Sequence, residues 1–210
     1  MKILQKCWML CCALLLAVAN PASAADEAPD ALVKRVSQEV IDAVKANKDL
    51  QSGNQKQVLE LVETKILPYV NFQRMTSLAA GRYWRDASAD QQKRLTQEFR
   101  TLLIFTYSGA LSQIKNQKIE FKPTRYDAAD TEVEVRSQVI QARGEPVQLN
   151  YRLEKVPGGW KIYDINVLGA WLVETYKGNF AAEISKNGID GLIRMLADKN
   201  QKLAQANGGK

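Results

Sequence analysis

Two aspartates and a few tyrosines are the residues best suited to chemistry. Asp164 stands between Tyr163 and Ile165 in an otherwise apolar, aromatic-rich run, and Tyr151 lies in the run before it. A carboxylate held among apolar side chains has a raised pKa and can serve as a general base beside a phenol. The simpler alternative has Asp164 accepting backbone N–H groups at a bulge or strand edge. Asp190 lies between Gly188 and Gly191. One carboxylate between glycines is no coordination shell, and helix capping accounts for it. The 210 residues include no histidine. This excludes Ser/His/Asp and Cys/His catalysis, the usual zinc sites and the ordinary base at neutral pH. Reading the chain through shows no Gly-x-Ser-x-Gly elbow, phosphate-binding glycine loop or dinucleotide fingerprint.

The three cysteines, Cys7, Cys11 and Cys12, fall in one N-terminal stretch. There Lys2 and Lys6 precede an apolar run from Cys7 to Ala19, then Pro21 and Ala22-Ser23-Ala24. That pattern reads as a signal peptide over 1–24 with a small-x-small cleavage site. The apolar run is too short for a bilayer core of roughly 30 Å. Cys11 lacks the small residues a lipobox needs before it. The expected mature chain is therefore exported, free of disulfides and held by its core, which suits a periplasm. Without Lys2 and Lys6 it carries 27 basic against 23 acidic side chains, a net charge of +4. These are spread along every segment, not clustered into a basic stripe, so nucleic acid is not an expected partner.

The elements that must position Asp164 read clearly. Leu32, Val33, Val36, Val40, Ile41 and Val44 give an amphipathic helix over 29–48. Val58, Leu59, Val62, Ile66 and Leu67 give a second helix that ends before Pro68. Residues 69–80 form a third, stopped at Gly81. Ser88 and Gln91 match a capping box that opens a fourth helix to about Lys115. The apolar set of that helix is too wide for one face, so its middle must be enclosed. After Asn116 the period falls to two. Ile119 and Phe121, then Val133 to Val139, then Val147 to Leu153, then the run from Trp160 predict a four-stranded antiparallel meander. From Leu168 the period returns to helical through Leu172, Tyr176, Phe180 and Ile184, with an interruption expected at Gly178. Asn187-Gly188 is a helix stop, and Ile189 to Leu203 restarts. The outcome is an α+β class with one domain over 25–203, a flexible tail over 204–210, and helices on one face of a curved sheet.

Several stretches together resemble the MlaC family. They are Leu67-Pro68-Tyr69-Val70 with Phe72, Gly81-Arg82-Tyr83-Trp84, Tyr163-Asp164-Ile165, and Lys186-Asn187-Gly188-Ile189-Asp190-Gly191-Leu192. This family comprises periplasmic phospholipid-binding proteins of the maintenance-of-lipid-asymmetry system, also called the toluene-tolerance family. The resemblance implies a nuclear-transport-factor-like cone with an apolar cavity, acyl chains inside and headgroup outside. It implies no catalytic residue and no cofactor or metal. Its implied partners are an outer-membrane lipoprotein associated with porin and an inner-membrane ring on an ATP-driven (ABC) transporter. The lipid-binding candidates are Leu67, Val70, Phe72 and Met75, then Phe99, Leu103 and Tyr107 on the fourth helix. Val135, Leu149, Tyr151, Ile165 and Val167 come from the sheet, and Ala170, Trp171, Tyr176 and Phe180 from the closing segment. Arg125, Arg136, Arg143 and Arg152 are candidates for headgroup phosphate or acidic partner surfaces. Two alternatives remain beside a carrier: an isomerase or hydrolase using Asp164 in the same cone, and an adaptor whose apolar interior is only core.

Overall fold

The structure, a computed structural model, describes residues 27–114, 117–141 and 144–208. The expected signal peptide lies outside them, as do Lys115, Asn116, Ala142, Arg143 and the last two residues. Helix α1 (Pro29–Ala46) buries Leu32, Val33, Val36, Val40, Ile41 and Val44, the face the spacing predicts. Asn47 caps the short α2 (Lys48–Gln51), and Asn54 caps α3 (Gln55–Leu61). The second predicted helix then departs from α geometry. Val62–Ile66 is a π turn and Leu67–Tyr69 a 3-10 turn, because Pro68 cannot continue the ladder. The third helix, α4 (Phe72–Ala80), starts later than predicted. Val70 forms a parallel bridge to Ile162, and Asn71 donates its N–H to the Ile162 carbonyl at 2.8 Å, so these residues join the sheet first.

Gly81, at φ 58°, ends α4 and leads through the 3-10 turn Gly81–Trp84. The Ser88/Gln91 capping box opens α5 (Ala89–Tyr107), which tightens into a 3-10 turn over Ser108–Gln113. The strands are β1 (Lys118–Phe121), β2 (Glu132–Val135), β3 (Ser137–Ile140), β4 (Val147–Val156), β5 (Gly159–Val167) and the short β6 (Ala170–Trp171). Their order is β1-β3-β4-β5-β6, with β2 also paired to β4. The predicted second strand is thus β2 and β3, broken at Arg136. At the break the Ser137 N–H is taken by the Asn150 side chain at 3.0 Å and its hydroxyl by the Leu149 carbonyl. A side chain standing in the ladder bends the strand there.

The closing helix α6 (Leu172–Gly208) corrects one expectation. Gly178 does not interrupt it. Tyr176 and Phe180 pack on Phe99 at ring-centroid distances of 4.9 and 5.0 Å, and this outweighs the cost of one helical glycine. The break falls at Gly188 (φ 70°, ψ 179°), as Asn187-Gly188 predicts. The helix runs on over 204–208, through Ala204, Gln205 and Ala206, all good helix formers. One core joins α4, α5 and α6 around Phe99 and Phe180, and a second lies between α1 and the sheet around Leu153. A third joins α1 to α2 and α3.

A candidate lipid-binding cavity

Between these cores the concave side of the sheet encloses a cavity of about 490 Å³, within the usual size of small-molecule pockets. The bulge in β5 makes this possible. Arg152 pairs with Asp164 but Leu153 pairs with Ile162, which leaves Tyr163 as the extra residue. The one-residue slip changes which side chains face inward. Ile162, Ile165 and Val167 all line the cavity, although strict alternation would set Ile162 opposite the other two.

Of the candidates, Leu67, Val70, Phe72, Met75, Leu103 and Tyr107 line this space from the helical side. Leu149, Tyr151, Ile165 and Val167 line it from the sheet. The others stand elsewhere. Phe99, Tyr176 and Phe180 form an edge-on aromatic cluster between α5 and α6, where they seal the helix pair. Val135 is buried under α1. Ala170 is exposed, and Trp171 carries the Arg152 guanidinium over its ring at 3.9 Å. Sequence reasoning missed the whole α1 wall, made of Val33, Val36, Val40 and Ile41, and the π-turn residues Val62 and Ile66. The amphipathic pattern of α1 was the available signal, but it says only that a face is covered, not by what.

The wall is electrically neutral: among the described residues no Asp, Glu, Lys or Arg lines it. Burial pushes the Tyr151 phenol up to about 12, against hydrogen bonds with Ser37 and Ser137 that favour the charged form. The phenol is therefore uncharged at neutral pH. Exposed Ala110, Gln113 and Gln141 mark the mouth. A wider groove of about 630 Å³ runs along the outside of α6 between Glu183 and Lys202. It is open to water, bordered by charged side chains, and touches none of the candidates.

Asp164 is 1 % exposed but is not part of the cavity wall. Its Oδ1 accepts the N–H of Ile165 at 2.9 Å and of Val173 at 3.1 Å. Burial raises its pKa, and those N–H groups and Arg152, 3.5 Å from Oδ2, oppose the rise. Its raised pKa fits the base reading; its geometry fits the backbone-acceptor reading. Asp190 directs its oxygens to Gln91 and Arg94 of α5, each at 2.9 Å, and so fixes the α6 break instead of capping it. The described residues contain no group of three or more His, Cys, Asp or Glu able to hold a metal. Arg125 and Arg136 are exposed, and Arg152 belongs to the outer face with Trp171.

An antiparallel sheet curved under long helices around a neutral apolar space defines a container for an apolar ligand. The chain belongs to the MlaC protein family, whose model matches residues 34–198. It is 27% identical over 175 residues to the intermembrane phospholipid transport system binding protein MlaC of Haemophilus influenzae, covering 82% of each chain. It is 26% identical over 177 residues to toluene tolerance protein ttg2D of Pseudomonas putida, covering 84% of this chain and 82% of that one. Among solved structures, a phospholipid-binding protein from Ralstonia solanacearum, in complex with a phospholipid, is 47% identical with a TM-score of 0.79. The match covers 86% of this chain and 99% of that one.

Proposed function

We propose that the chain is a soluble periplasmic phospholipid carrier, with acyl chains in the cavity and the headgroup at its mouth. One coincidence carries this reading: a neutral apolar cavity of about 490 Å³ in a chain 47% identical to a protein solved with phospholipid bound. The acyl chains contact Leu67, Val70, Phe72, Met75, Leu103, Tyr107, Leu149, Tyr151, Ile165 and Val167, together with the α1 wall. The carrier performs no chemistry on its cargo, because the buried carboxylate of Asp164 is outside the cavity and already accepts two backbone donors.

Two acyl chains of roughly fifteen methylenes each, at about 0.8 kcal/mol apiece, give a gross transfer term near 24 kcal/mol, beyond any displayed affinity. Release into water is therefore excluded, and the cargo leaves only where a partner offers an apolar path. The partners in this reading are an outer-membrane lipoprotein with its porin and the inner-membrane ring of an ABC transporter, and the outcome is maintained outer-membrane lipid asymmetry. The leader over 1–24 directs export and is cleaved to leave the mature chain.

Native mass spectrometry of the mature protein, followed by lipid extraction, tests the reading. Stoichiometric phospholipid is the expected result. A clean apoprotein mass that persists after incubation with liposomes overturns it.

A further inference from the structure

The loop between β5 and β6 departs from the residue preferences of its own turn. Val167 pairs with Ala170, so Leu168 and Gly169 form a two-residue hairpin, with φ of 55° and 88°. Positive φ at both central positions marks the type I′ turn, where Asn-Gly is favoured and a γ-branched side chain at the first position is strained. Leu168 is the one non-glycine with positive φ among the described residues. It is also the most exposed large hydrophobic among them, at 74 % against 38 % for Leu78 and Tyr126. A strained backbone and an apolar side chain held in water coincide at one residue.

The turn is rigid. The Asn166 side chain accepts the Gly169 N–H at 3.1 Å, and the Leu168 N–H reaches the Gln148 carbonyl at 3.2 Å. Residues on both sides of the turn, Val167 and Leu172, line the cavity. We propose that Leu168 is a preorganised knob that seats in an apolar socket on a protein partner and docks the carrier beside its cavity wall. A bilayer is a poorer occupant. Membrane association needs several apolar groups or a basic cluster with one, whereas here a single exposed leucine stands beside the neutral Gln148, and the one nearby cation, Arg152, already lies over the Trp171 ring and against Asp164. One buried leucine gives a contact weak enough to form and release in each cycle. This inference rests on the carrier reading and adds where the carrier docks.

The test loads wild type, Leu168→Asn and Leu168→Met with a fluorescent phospholipid and follows transfer to envelope membranes of the producing bacterium. The same membranes shaved of exposed protein by protease serve as a second acceptor. Leu168→Asn restores the favoured Asn-Gly turn, so its Tm is expected at or above that of wild type, with an unchanged lipid load. Its transfer to intact membranes falls about tenfold, Leu168→Met retains most transfer, and all three proteins transfer equally to shaved membranes. Equal transfer to intact membranes overturns the proposal, as does an equal loss on both acceptors, which would make the bilayer the target. A lower Tm for Leu168→Asn overturns it too, by giving the leucine a role in the fold. If wild type takes up no phospholipid, the carrier reading itself fails.

Discussion

Asp164 Oδ1 accepts the Val173 N–H at 3.1 Å, so a residue of the last long strand fixes the first turn of the closing helix. Of the two sequence readings of this carboxylate, general base and backbone acceptor, the second matches its hydrogen bonds. Asp164→Ala takes the acceptor from the buried Val173 N–H and the partly buried Ile165 N–H and is expected to cost about 2–4 kcal/mol of stability, read by urea unfolding. Asp164→Asn keeps an acceptor, and its effect depends on pH. Because the folded pKa is raised, the contribution of the carboxyl group is fully present below the ordinary value of about 3.9 and is lost as pH rises through the folded value. Wild type should therefore lose stability relative to Asp164→Asn as pH rises from about 4. An opposite slope in the difference between the two unfolding curves would contradict this account.

Glycines within α6 make opposite predictions. A Cβ on Gly178 meets nothing within 4 Å, and its backbone is not in the positive-φ region. Gly178→Ala should stabilise the protein by about 0.5–1 kcal/mol. A Cβ on Gly191 would lie 2.3 Å from the Asn187 Cβ, so Gly191→Ala forces the two sides of the break apart and lowers Tm. Differential scanning calorimetry of the two single variants separates the cases. A gain in both would mean that the break is looser than the Asn187 contact implies.

What the sequence reveals and what it hides follow from the range of the interactions involved. Ser88/Gln91, Gly81 and Asn187-Gly188 act over a few residues, and each is where local chemistry puts it. The bulge at Tyr163 is a property of β4 and β5 together, and the alternation within β5 alone does not reveal it. Apolar periodicity also cannot separate a filled core from an empty cavity. Phe99 and Leu103 lie one helical turn apart on α5, yet the first is sealed among Tyr176 and Phe180 while the second faces the open space. The π turn at Val62–Ile66 stayed hidden because its composition is that of an ordinary helix.

Arg74 ties α4 to the outer face of the sheet. Its guanidinium pairs with Glu132 at 2.5 Å and with Glu154, and lies 3.9 Å over the Tyr163 ring. Arg74→Met should cost about 2 kcal/mol at neutral pH, mostly by removing the cation from the largely covered Glu154, which keeps only the Asn71 amide as a side-chain donor. The Arg74 hydrogen bond, followed by that from Tyr163, lowers the pKa of Glu132. For a depressed carboxyl the contribution is present above the ordinary value of about 4.3 and is lost as pH falls through the folded value. The gap between wild type and Arg74→Met should therefore be flat above about pH 5 and narrow below about pH 4. A gap that widens on acidification would place the coupling elsewhere.

The division of the aromatic and aliphatic candidates between cavity and core gives the sharpest test of the site. Val139 lines the cavity from β3 and is only partly buried, with open space before it. Val139→Trp should fill part of that space, displace cargo and leave the fold intact, so phospholipid recovered per folded molecule falls several-fold while Tm moves by only a few degrees. Phe180 is 1 % exposed in the aromatic cluster and is absent from the cavity wall. Phe180→Ala should cost about 3–5 kcal/mol, yet the molecules that remain folded should still carry lipid in the wild-type ratio. Size-exclusion chromatography followed by lipid analysis of the monomer peak measures both. Lipid lost from the folded fraction of Phe180→Ala, and kept in Val139→Trp, would move the acyl chains out of the cavity and into the space between α5 and α6.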